Sequence, residues 1–246
     1  MKVPPLVAHR GYTLHYPENT LTGIEAAIRA GAGYVEIDIQ LSSDQIPVLF
    51  HDHTLKRICG VDGAIHDYTL EQLKHFKAME FNRFGYKYAT ERIPTLAEFA
   101  QLLARYPEVT AFIEVKREGL QRFGISTVLS RIQRDLKTVQ KRCVLISFDL
   151  EALAAARKQW PAIGVIFDHW RERRQPIVQE LRPQYLFCDL DGLPRWGSLR
   201  FDNARVVIYE VATPAVALKL FERGVDFIET FAVGEMLRAL ERPTTT

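Results

Sequence analysis

The stretch Tyr34-Val35-Glu36-Ile37-Asp38-Ile39-Gln40-Leu41 alternates between apolar and polar side chains from Val35 onward. A period of two is the pattern of a β-strand, so the apolar residues face one way and Glu36 and Asp38 the other. The stretch Phe112-Ile113-Glu114-Val115-Lys116 repeats the pattern. Because helix-length segments separate such strands, the sequence predicts an α/β fold, a closed (β/α)8 TIM-type barrel whose inner wall carries the charged groups.

The number of strand-like runs exceeds the eight of such a barrel by one. About six residues, 40–45, separate the second and third runs, whereas a parallel crossover needs a dozen or more. These two runs are therefore predicted to form an antiparallel β-hairpin at the second strand, which brings His51 close to Glu36 and Asp38. The runs lie at 5–9, 34–41, 47–51, 111–116, 143–148, 163–167, 185–189, 205–211 and 226–230.

The segment at about 53–93 is too long for one loop in a compact domain, so we expect a small inserted subdomain there. Its aromatic residues fit either the packing of a small core or the wall of a ligand site, and both interpretations stay open. We expect residues 1–246 to form a single barrel domain, with a disordered tail at 242–246. The aromatic residues are Phe81, Phe84, Tyr86 and Tyr88.

Composition narrows the classes of function. The 246 residues are 47% hydrophobic and carry a formal net charge of +2, which allows a full core and demands no anionic partner. No basic run or finger spacing favours nucleic acid. The start of the chain shows no apolar signal region, and no run approaches the roughly 18 residues of a membrane span. Since Cys59, Cys143 and Cys188 give no disulfide framework, we expect a cytoplasmic protein without stable membrane insertion.

Several charged residues share one position, the carboxyl end of a predicted strand, which is where parallel barrels place their active sites. Three carboxylates at one rim suit a hard divalent cation, Mg²⁺ or Ca²⁺ with Mn²⁺ as an alternative. Two histidines can act as acid and base, and two cationic side chains can hold a phosphate. The set predicts metal-assisted phosphoryl transfer. It comprises Glu36, Asp38, Glu114, His9, His51, Arg10 and Lys116.

A series of short motifs occurs in a fixed order within residues 5–116. They are His9-Arg10-Gly11, Pro17-Glu18-Asn19-Thr20, Glu36-Ile37-Asp38, Pro47-Val48-Leu49-Phe50-His51-Asp52 with Leu55 and Arg57, Ile93-Pro94-Thr95-Leu96 and Glu114-Val115-Lys116. Because these motifs occur together and in this order, the chain resembles the glycerophosphodiester phosphodiesterase family.

The resemblance implies a phospholipase-C-like barrel that hydrolyses a small-molecule glycerophosphodiester to an alcohol and sn-glycerol 3-phosphate. It also implies that the segment after Asp52 is an inserted subdomain that helps to admit the glycerol end. The implied roles are metal binding for Glu36, Asp38 and Glu114, acid–base catalysis for His9 and His51, and substrate binding for Arg10, Lys116 and Asn19. Tyr209 is expected to bind substrate as an aromatic wall in place of the family's Trp.

The carboxyl-terminal half departs from the family pattern. Many members have Trp-Thr-Val-Asn where this chain has Tyr209-Glu210-Val211-Ala212, and Ile-Thr-Asp where it has Ile228-Glu229-Thr230. Glu210 and Glu229 have three open interpretations: metal ligands, a site for a cationic part of the substrate, or partners of basic residues. Gln45 stands where the family's hairpin turn usually has Gly. Because of these departures, the sequence does not identify the leaving group of the substrate.

Two other functions are compatible with a barrel of this kind. A lysophospholipase D-like or lyase activity on lipid headgroups requires an apolar groove or an exposed amphipathic helix, and none is evident in the sequence. A catalytically silent glycerol-phosphate-binding protein would lack a histidine or a ligand, and all are present. Left open are the physiological metal, which histidine is the acid, whether a cyclic phosphate forms, and the oligomeric state.

Overall fold

A computed structural model describes residues 3–241, so the tail expected at 242–246 lies outside the described residues. Eight parallel strands pair side by side, and the first pairs with the second to close the ring, which confirms the TIM-type barrel. The additional strand, Pro47–Leu49, pairs with the carboxyl-terminal residues of the second strand, Ile39–Leu41. The strands are β1 (Leu6–Ala8), β2 (Tyr34–Leu41), β3 (Pro47–Leu49), β4 (Thr110–Val115), β5 (Cys143–Ser147), β6 (Ile163–Phe167), β7 (Tyr185–Asp189), β8 (Arg205–Tyr209) and β9 (Phe227–Thr230).

Helices connect most of the parallel strands and cover the outside of the barrel. One of them begins with a capping box, because the Thr95 hydroxyl accepts from the Glu98 N–H at 3.1 Å while the Glu98 carboxylate accepts from the Thr95 N–H at 2.7 Å. The helices are α1 (Leu21–Arg29), α2 (Lys56–Cys59), α3 (Leu70–His75), α4 (Phe81–Phe84), α5 (Leu96–Ala104), α6 (Arg117–Phe123), α7 (Ile125–Leu136), α8 (Leu150–Ala156), α9 (Pro176–Leu181), α10 (Pro214–Glu222) and α11 (Val233–Glu241), with 3₁₀ turns at Ile65–Asp67, Gln140–Arg142 and Trp170–Arg174.

The strands β2 and β3 form the predicted antiparallel hairpin, with Ile39 opposite Leu49 and Leu41 opposite Pro47. The hairpin continues past the strand, since the Phe50 N–H donates to the Asp38 carbonyl at 3.0 Å. This pairing returns the chain to the carboxyl end of β2, so that His51 comes next to the predicted carboxylates. The turn requires φ of 61° at Gln45, a left-handed conformation that favours glycine.

The alternation in β2 separates two cores. Ile37 and Ile39 belong to the outer core, between strands and helices, whereas the inner wall of the barrel has an apolar core of its own. Burying each large side chain contributes roughly 1.5–3 kcal/mol, so the alternation strongly fixes which face turns inward. The interior toward the amino ends of the strands is filled by Tyr34, Phe112, Tyr185 and Phe227; the Tyr34 and Phe112 rings stack, and the other ring pairs pack edge-on or tilted. The buried carboxylates Glu36, Glu114 and Glu229 come two residues later on the same strands, toward the carboxyl end.

The inserted segment forms the expected subdomain on a small core that it shares with Val48 of β3 and Phe50 just after it. The segment contributes Leu55, Ile58, Ile65, Leu73, Ala78 and Ile93 to this core. Of the aromatic residues left open, Phe81 and Tyr86 are exposed and contact each other. Tyr88 is buried, and Phe84 packs edge-on against it. Among residues 3–241, the structure contains no helix long and apolar enough to cross a membrane.

Candidate active site

Three carboxylates meet on the inner wall where β2 and β4 run side by side. Glu36 and Asp38 lie two positions apart on β2 and therefore face the same way, and Asp38 is the direct neighbour of Glu114 on β4. One oxygen from each of the three lies within 4.8 Å of the others, and all three residues are buried. The convergence predicted from strand ends is therefore present in the structure.

Two cations compensate only part of this charge. Asp38 contacts Arg10 Nε at 3.1 Å and Lys116 Nζ at 3.2 Å. Burial alone would raise the pKa of Asp38, but Lys116 and Arg10 hold it well below its usual range. Lys116 Nζ also donates to Glu114 Oε1 at 2.7 Å. Asp38 is therefore ionised, and both cations of the site are already turned toward carboxylates.

Glu36 and Glu114 lack enough positive charge around them. Burial, followed by the neighbouring carboxylates Asp38 and Glu229, raises the pKa of Glu36 well above its usual value. Burial raises that of Glu114 as well, although Lys116 opposes the shift. Glu36 Oε2 accepts from the Arg10 backbone N–H at 3.1 Å, while Oε1 has no hydrogen-bond partner among the described residues. Buried carboxylates of this kind are costly unless neutralised, so the donor set fits a hard divalent cation.

His9 follows β1 and is fixed from several sides. The turn after it brings Gly11, with φ of 90°, against α1, where a Cβ would lie 2.9 Å from the Gly23 carbonyl carbon. The imidazole is buried and stacks on Phe231, with ring centroids 4.8 Å apart. Its Nε2 lies 3.7 Å from Glu36 Oε2, and its Nδ1 lies 2.9 Å from Glu210 Oε1. Burial, and next the charge of Arg10, lower the pKa of His9.

His51 follows β3 and has its own carboxylate neighbour. Its Nδ1 lies at hydrogen-bond distance, 2.8 Å, from Asp52 Oδ1. Arg57 donates to both oxygens of Asp52 at 2.7 Å and to both oxygens of Glu18 at 2.8 Å. Through Arg57 the inserted subdomain is joined to the loop that follows β1, so the His51 side chain is supported by a continuous polar network.

Both histidines line one cavity of about 120 Å³ at the carboxyl end of the barrel. Larger grooves occur elsewhere, such as one of about 560 Å³ at the amino ends of β7 to β9, but they bring together no comparable set of acid, base and cation-binding groups. The polar lining is His9, Arg10, Glu36, His51, Glu114, Lys116, Glu210 and Glu229, and the apolar and aromatic lining is Ile146, Phe148, Ile166, Phe187 and Tyr209.

Of the four residues expected to contact the substrate, three line the cavity and one does not. Arg10, Lys116 and Tyr209 reach the cavity. Asn19 does not line it, because its amide donates to Asp38 Oδ2 at 2.8 Å and accepts from the Asp38 N–H at 3.1 Å. This placement does not support a substrate contact by Asn19. Its side chain instead fixes the orientation of Asp38.

Glu210 and Glu229, left open by the sequence, both line the cavity. Glu229 is buried, approaches His9 and Glu36 with one oxygen within 4.8 Å, and has an oxygen, Oε1, without a partner among the described residues. Burial and the carboxylates Glu114 and Glu210 raise the pKa of Glu229 well above its usual value. The signal for both residues was the one that revealed Glu36, a carboxylate at the end of an apolar strand.

Comparison with known proteins identifies the family. Residues 9–192 match the model of the glycerophosphoryl diester phosphodiesterase family. A glycerophosphodiester phosphodiesterase from Caldanaerobacter subterraneus is 33% identical over 187 residues, which cover 73% of this chain and 75% of that protein. Glycerophosphodiester phosphodiesterase 1 from Mus musculus is 31% identical over 82% of this chain, but the match spans only 56% of the mouse protein.

Solved structures agree with this assignment. A phosphodiesterase from Oleispira antarctica, in complex with the product sn-glycerol-3-phosphate, superimposes with a TM-score of 0.85 at 28% identity and covers 98% of both chains. A putative glycerophosphoryl diester phosphodiesterase from Silicibacter pomeroyi shares the fold, with a TM-score of 0.84 at 22% identity over 97% of this chain and 93% of that one. Together with the match to residues 9–192, these similarities show that the chain is an enzyme that belongs to the glycerophosphoryl diester phosphodiesterase family.

Proposed function

We propose that the protein hydrolyses glycerophosphodiesters to an alcohol and sn-glycerol 3-phosphate, with His9 and His51 as the acid–base pair beside one divalent cation. The observation that carries this proposal is the single cavity lined by both imidazoles, by Glu36 and Glu114, and by the cationic Arg10 and Lys116. A phosphodiester needs positive charge for its phosphate, a base for its nucleophile and an acid for its leaving group, and this cavity offers all three.

Glu36, Asp38 and Glu114 would hold the cation, since their oxygens are close together and Glu36 Oε1 has no protein partner. A cation held there would supply Lewis-acid chemistry and positive charge against the negative charge that develops on the phosphate in the transition state. An all-oxygen donor set is suited to Mg²⁺, Ca²⁺ or Mn²⁺. Asn19 would support this arrangement by keeping Asp38 in place.

The two histidines divide the proton transfers. One imidazole takes the proton of the nucleophile, and the other gives a proton to the departing alkoxide. In both, Nδ1 lies beside a carboxylate, Glu210 for His9 and Asp52 for His51, so the second ring nitrogen, Nε2, is the one available for exchange. Arg10 and Lys116 attract the phosphate through their charge. The nucleophile is water or a hydroxyl of the glycerol, and a transient cyclic phosphate would identify the latter.

The volume of about 120 Å³ favours a small polar substrate unit over an acyl chain. Sites for larger organic ligands usually enclose roughly 300–1,000 Å³. No observation among residues 3–241 specifically favours lysophospholipase D-like or lyase activity on lipid headgroups. We therefore place the glycerol phosphate moiety in the cavity and the leaving group toward its mouth.

A coupled assay of glycerol 3-phosphate release tests the proposal. Choline, ethanolamine and glycerol esters are offered in turn, with chelator and after addition of Mg²⁺, Ca²⁺ or Mn²⁺. We expect turnover that chelator abolishes and at least one cation restores. Glu222→Gln, on the exposed surface of α10, is the matched control and should behave as wild type. Undiminished turnover in excess chelator, with metal content verified as zero, refutes the cation; no release from any ester refutes the substrate class.

Two expectations complete the proposal. A single barrel domain over residues 1–246 should unfold in one cooperative transition, which calorimetry measures. A cytoplasmic location is supported by the three cysteines, all of them free thiols, with burial raising the pKa of Cys59, Cys143 and Cys188 to about 12. Fractionation of the source cells would test it.

A further inference from the structure

Glu210 is the carboxylate next to the buried nitrogen of His9. Its Oε1 lies 2.9 Å from His9 Nδ1, and Nδ1 has no hydrogen-bond partner that meets both distance and angle requirements among the described residues. The carboxylate oxygen is thus close enough for an ion pair but lies off the N–H direction. The Glu210 side chain is 36% accessible and that of His9 is 8% accessible, so the carboxylate is the less confined of the two groups.

The rest of the imidazole is already fixed. The His9 backbone N–H donates to the Thr230 carbonyl at 3.1 Å, and the ring stacks on Phe231 at an interplanar angle of 14°. In this orientation Nε2 faces Glu36, at 3.7 Å from its Oε2, while Nδ1 faces Glu210. A neutral imidazole has one N–H, so a carboxylate at Nδ1 places the proton there and leaves the Nε2 lone pair directed toward the reacting groups.

We propose that Glu210 is a positioning residue that holds His9 with Nδ1 protonated and Nε2 free for the proton exchanged in the reaction. The proposal rests on the function proposed above. Within that reaction the Nε2 lone pair accepts a proton from the O–H bond that breaks, or Nε2–H returns one to the alkoxide, and Nδ1 keeps its proton throughout. The ionised Glu210 stabilises the imidazolium that exists between the two events.

The other interpretations of Glu210 have less support. Its oxygens belong to none of the clusters with cation-binding spacing found among residues 3–241. Its close charged contact is His9 rather than Lys or Arg. His51 provides an internal parallel, since Asp52 occupies the same place at its Nδ1, at 2.8 Å. A site for a cationic leaving group remains as the competing role, and the kinetics distinguish it.

The first test is the kinetics of Glu210→Ala and Glu210→Gln, with Glu222→Gln as the surface control. A carboxylate that supports a metal-ligating imidazole is typically worth about 10- to 100-fold, and we expect a loss of that order for the carboxylate beside a catalytic imidazole. We expect kcat to fall by that factor in the alanine variant and by less in the glutamine variant, whose amide oxygen still accepts from Nδ1–H, with KM changed by less than about twofold. A raised KM for the choline ester alone, at unchanged kcat, would instead establish the leaving-group role and overturn the proposal.

The second test is a double-mutant cycle. If Glu210 acts through His9, Glu210→Ala must have no further effect on kcat in a His9→Ala background. Equal losses in both backgrounds would show that Glu210 acts independently of His9 and refute the inference. Wild-type activity of His9→Ala would instead refute the proposed role of His9, so the two failures are distinguishable. Nitrogen NMR of His9 should show a protonated Nδ1 in wild type and a mixture of tautomers in Glu210→Ala.

Discussion

Each of the two histidines of the cavity has a carboxylate beside its Nδ1, but the two pairs are assembled in different ways. His51 and its carboxylate Asp52 are neighbours in the chain, and Arg57 of the inserted subdomain holds them. His9 and its carboxylate Glu210 come from opposite ends of the chain and meet because β1 and β8 belong to one closed barrel. The His9 side chain is 8% exposed and that of His51 31%. One pair depends on local sequence, the other on closure of the barrel.

The two carboxylates therefore differ in their structural role: both support a histidine, but only Asp52 also helps to hold the inserted subdomain in place. Asp52 serves both His51 and Arg57, and Arg57 also binds Glu18, so a change at Asp52 disturbs the attachment of the subdomain. Glu210 is half-exposed and contacts His9 without belonging to such a network. Substitutions on the two sides should therefore affect activity alike but stability differently. The predictions below proceed from the largest expected effect to the smallest.

The largest effect is expected at Asp38, one of the three carboxylates proposed to hold the cation. It contacts Arg10 and Lys116 and is oriented by Asn19. Asp38→Asn keeps the shape but removes the charge, and Asp38→Ala removes both. We expect kcat/KM to fall on the order of 10³-fold, since a bound cation supplies several kcal/mol of transition-state stabilisation. Titration with Mn²⁺ followed by electron paramagnetic resonance should show weakened binding. Wild-type Mn²⁺ affinity in Asp38→Ala would contradict the assigned ligand set.

The histidines themselves come next. His9→Ala and His51→Ala should each lose on the order of 10²- to 10⁴-fold in kcat, the usual contribution of a positioned acid or base. Mn²⁺ binding should survive in both variants, because neither imidazole belongs to the set of Glu36, Asp38 and Glu114. Steady-state kinetics and the same titration measure the two properties. If one variant keeps near-normal turnover, that histidine is not part of the acid–base pair and has another role.

The two carboxylates should separate activity from stability. Asp52→Ala and Glu210→Ala are both expected to lower kcat by about 10- to 100-fold. Only Asp52→Ala should also lower Tm, because Arg57 loses one of its two partners. A partly exposed ion pair contributes about 1 kcal/mol or less, which corresponds to roughly 2–4 °C for a domain of this size. Thermal unfolding of both variants checks this prediction. An equal fall in Tm would show that Asp52 and Glu210 do not differ in their contribution to stability.

The smallest effect concerns the hairpin that delivers His51. Gln45 adopts φ of 61°, so Gln45→Gly should relieve left-handed strain and stabilise the fold by about 1 kcal/mol, with kcat unchanged. Ser43→Gly, in the same exposed turn but without a positive φ, is the matched control and should destabilise slightly. Urea unfolding measures both. A loss of stability in Gln45→Gly would show that the contact of the Gln45 amide with Arg131, at 3.2 Å, outweighs the strain.

Several features of the site were accessible from the sequence because they depend on short separations. The alternation of Glu36 and Asp38 with apolar neighbours determined that both face one way. The short segment 40–45 excluded a parallel crossover and therefore placed His51 beside them. Asn19 shows the limit of motif comparison. Its position in a shared motif does not reveal that both its amide groups are used by Asp38.

What the sequence by itself determined was the class of fold, the hairpin and the set of residues at the strand ends, since these follow from periodicity, segment length and motif order. Only the tertiary structure decided the contacts that form where the barrel closes. Closure of the barrel brings β9 next to β1, with β8 on the other side of β9, so that Glu210 reaches His9 and Glu229 reaches Glu36. No local pattern encodes such contacts, because they depend on the register of all the intervening strands.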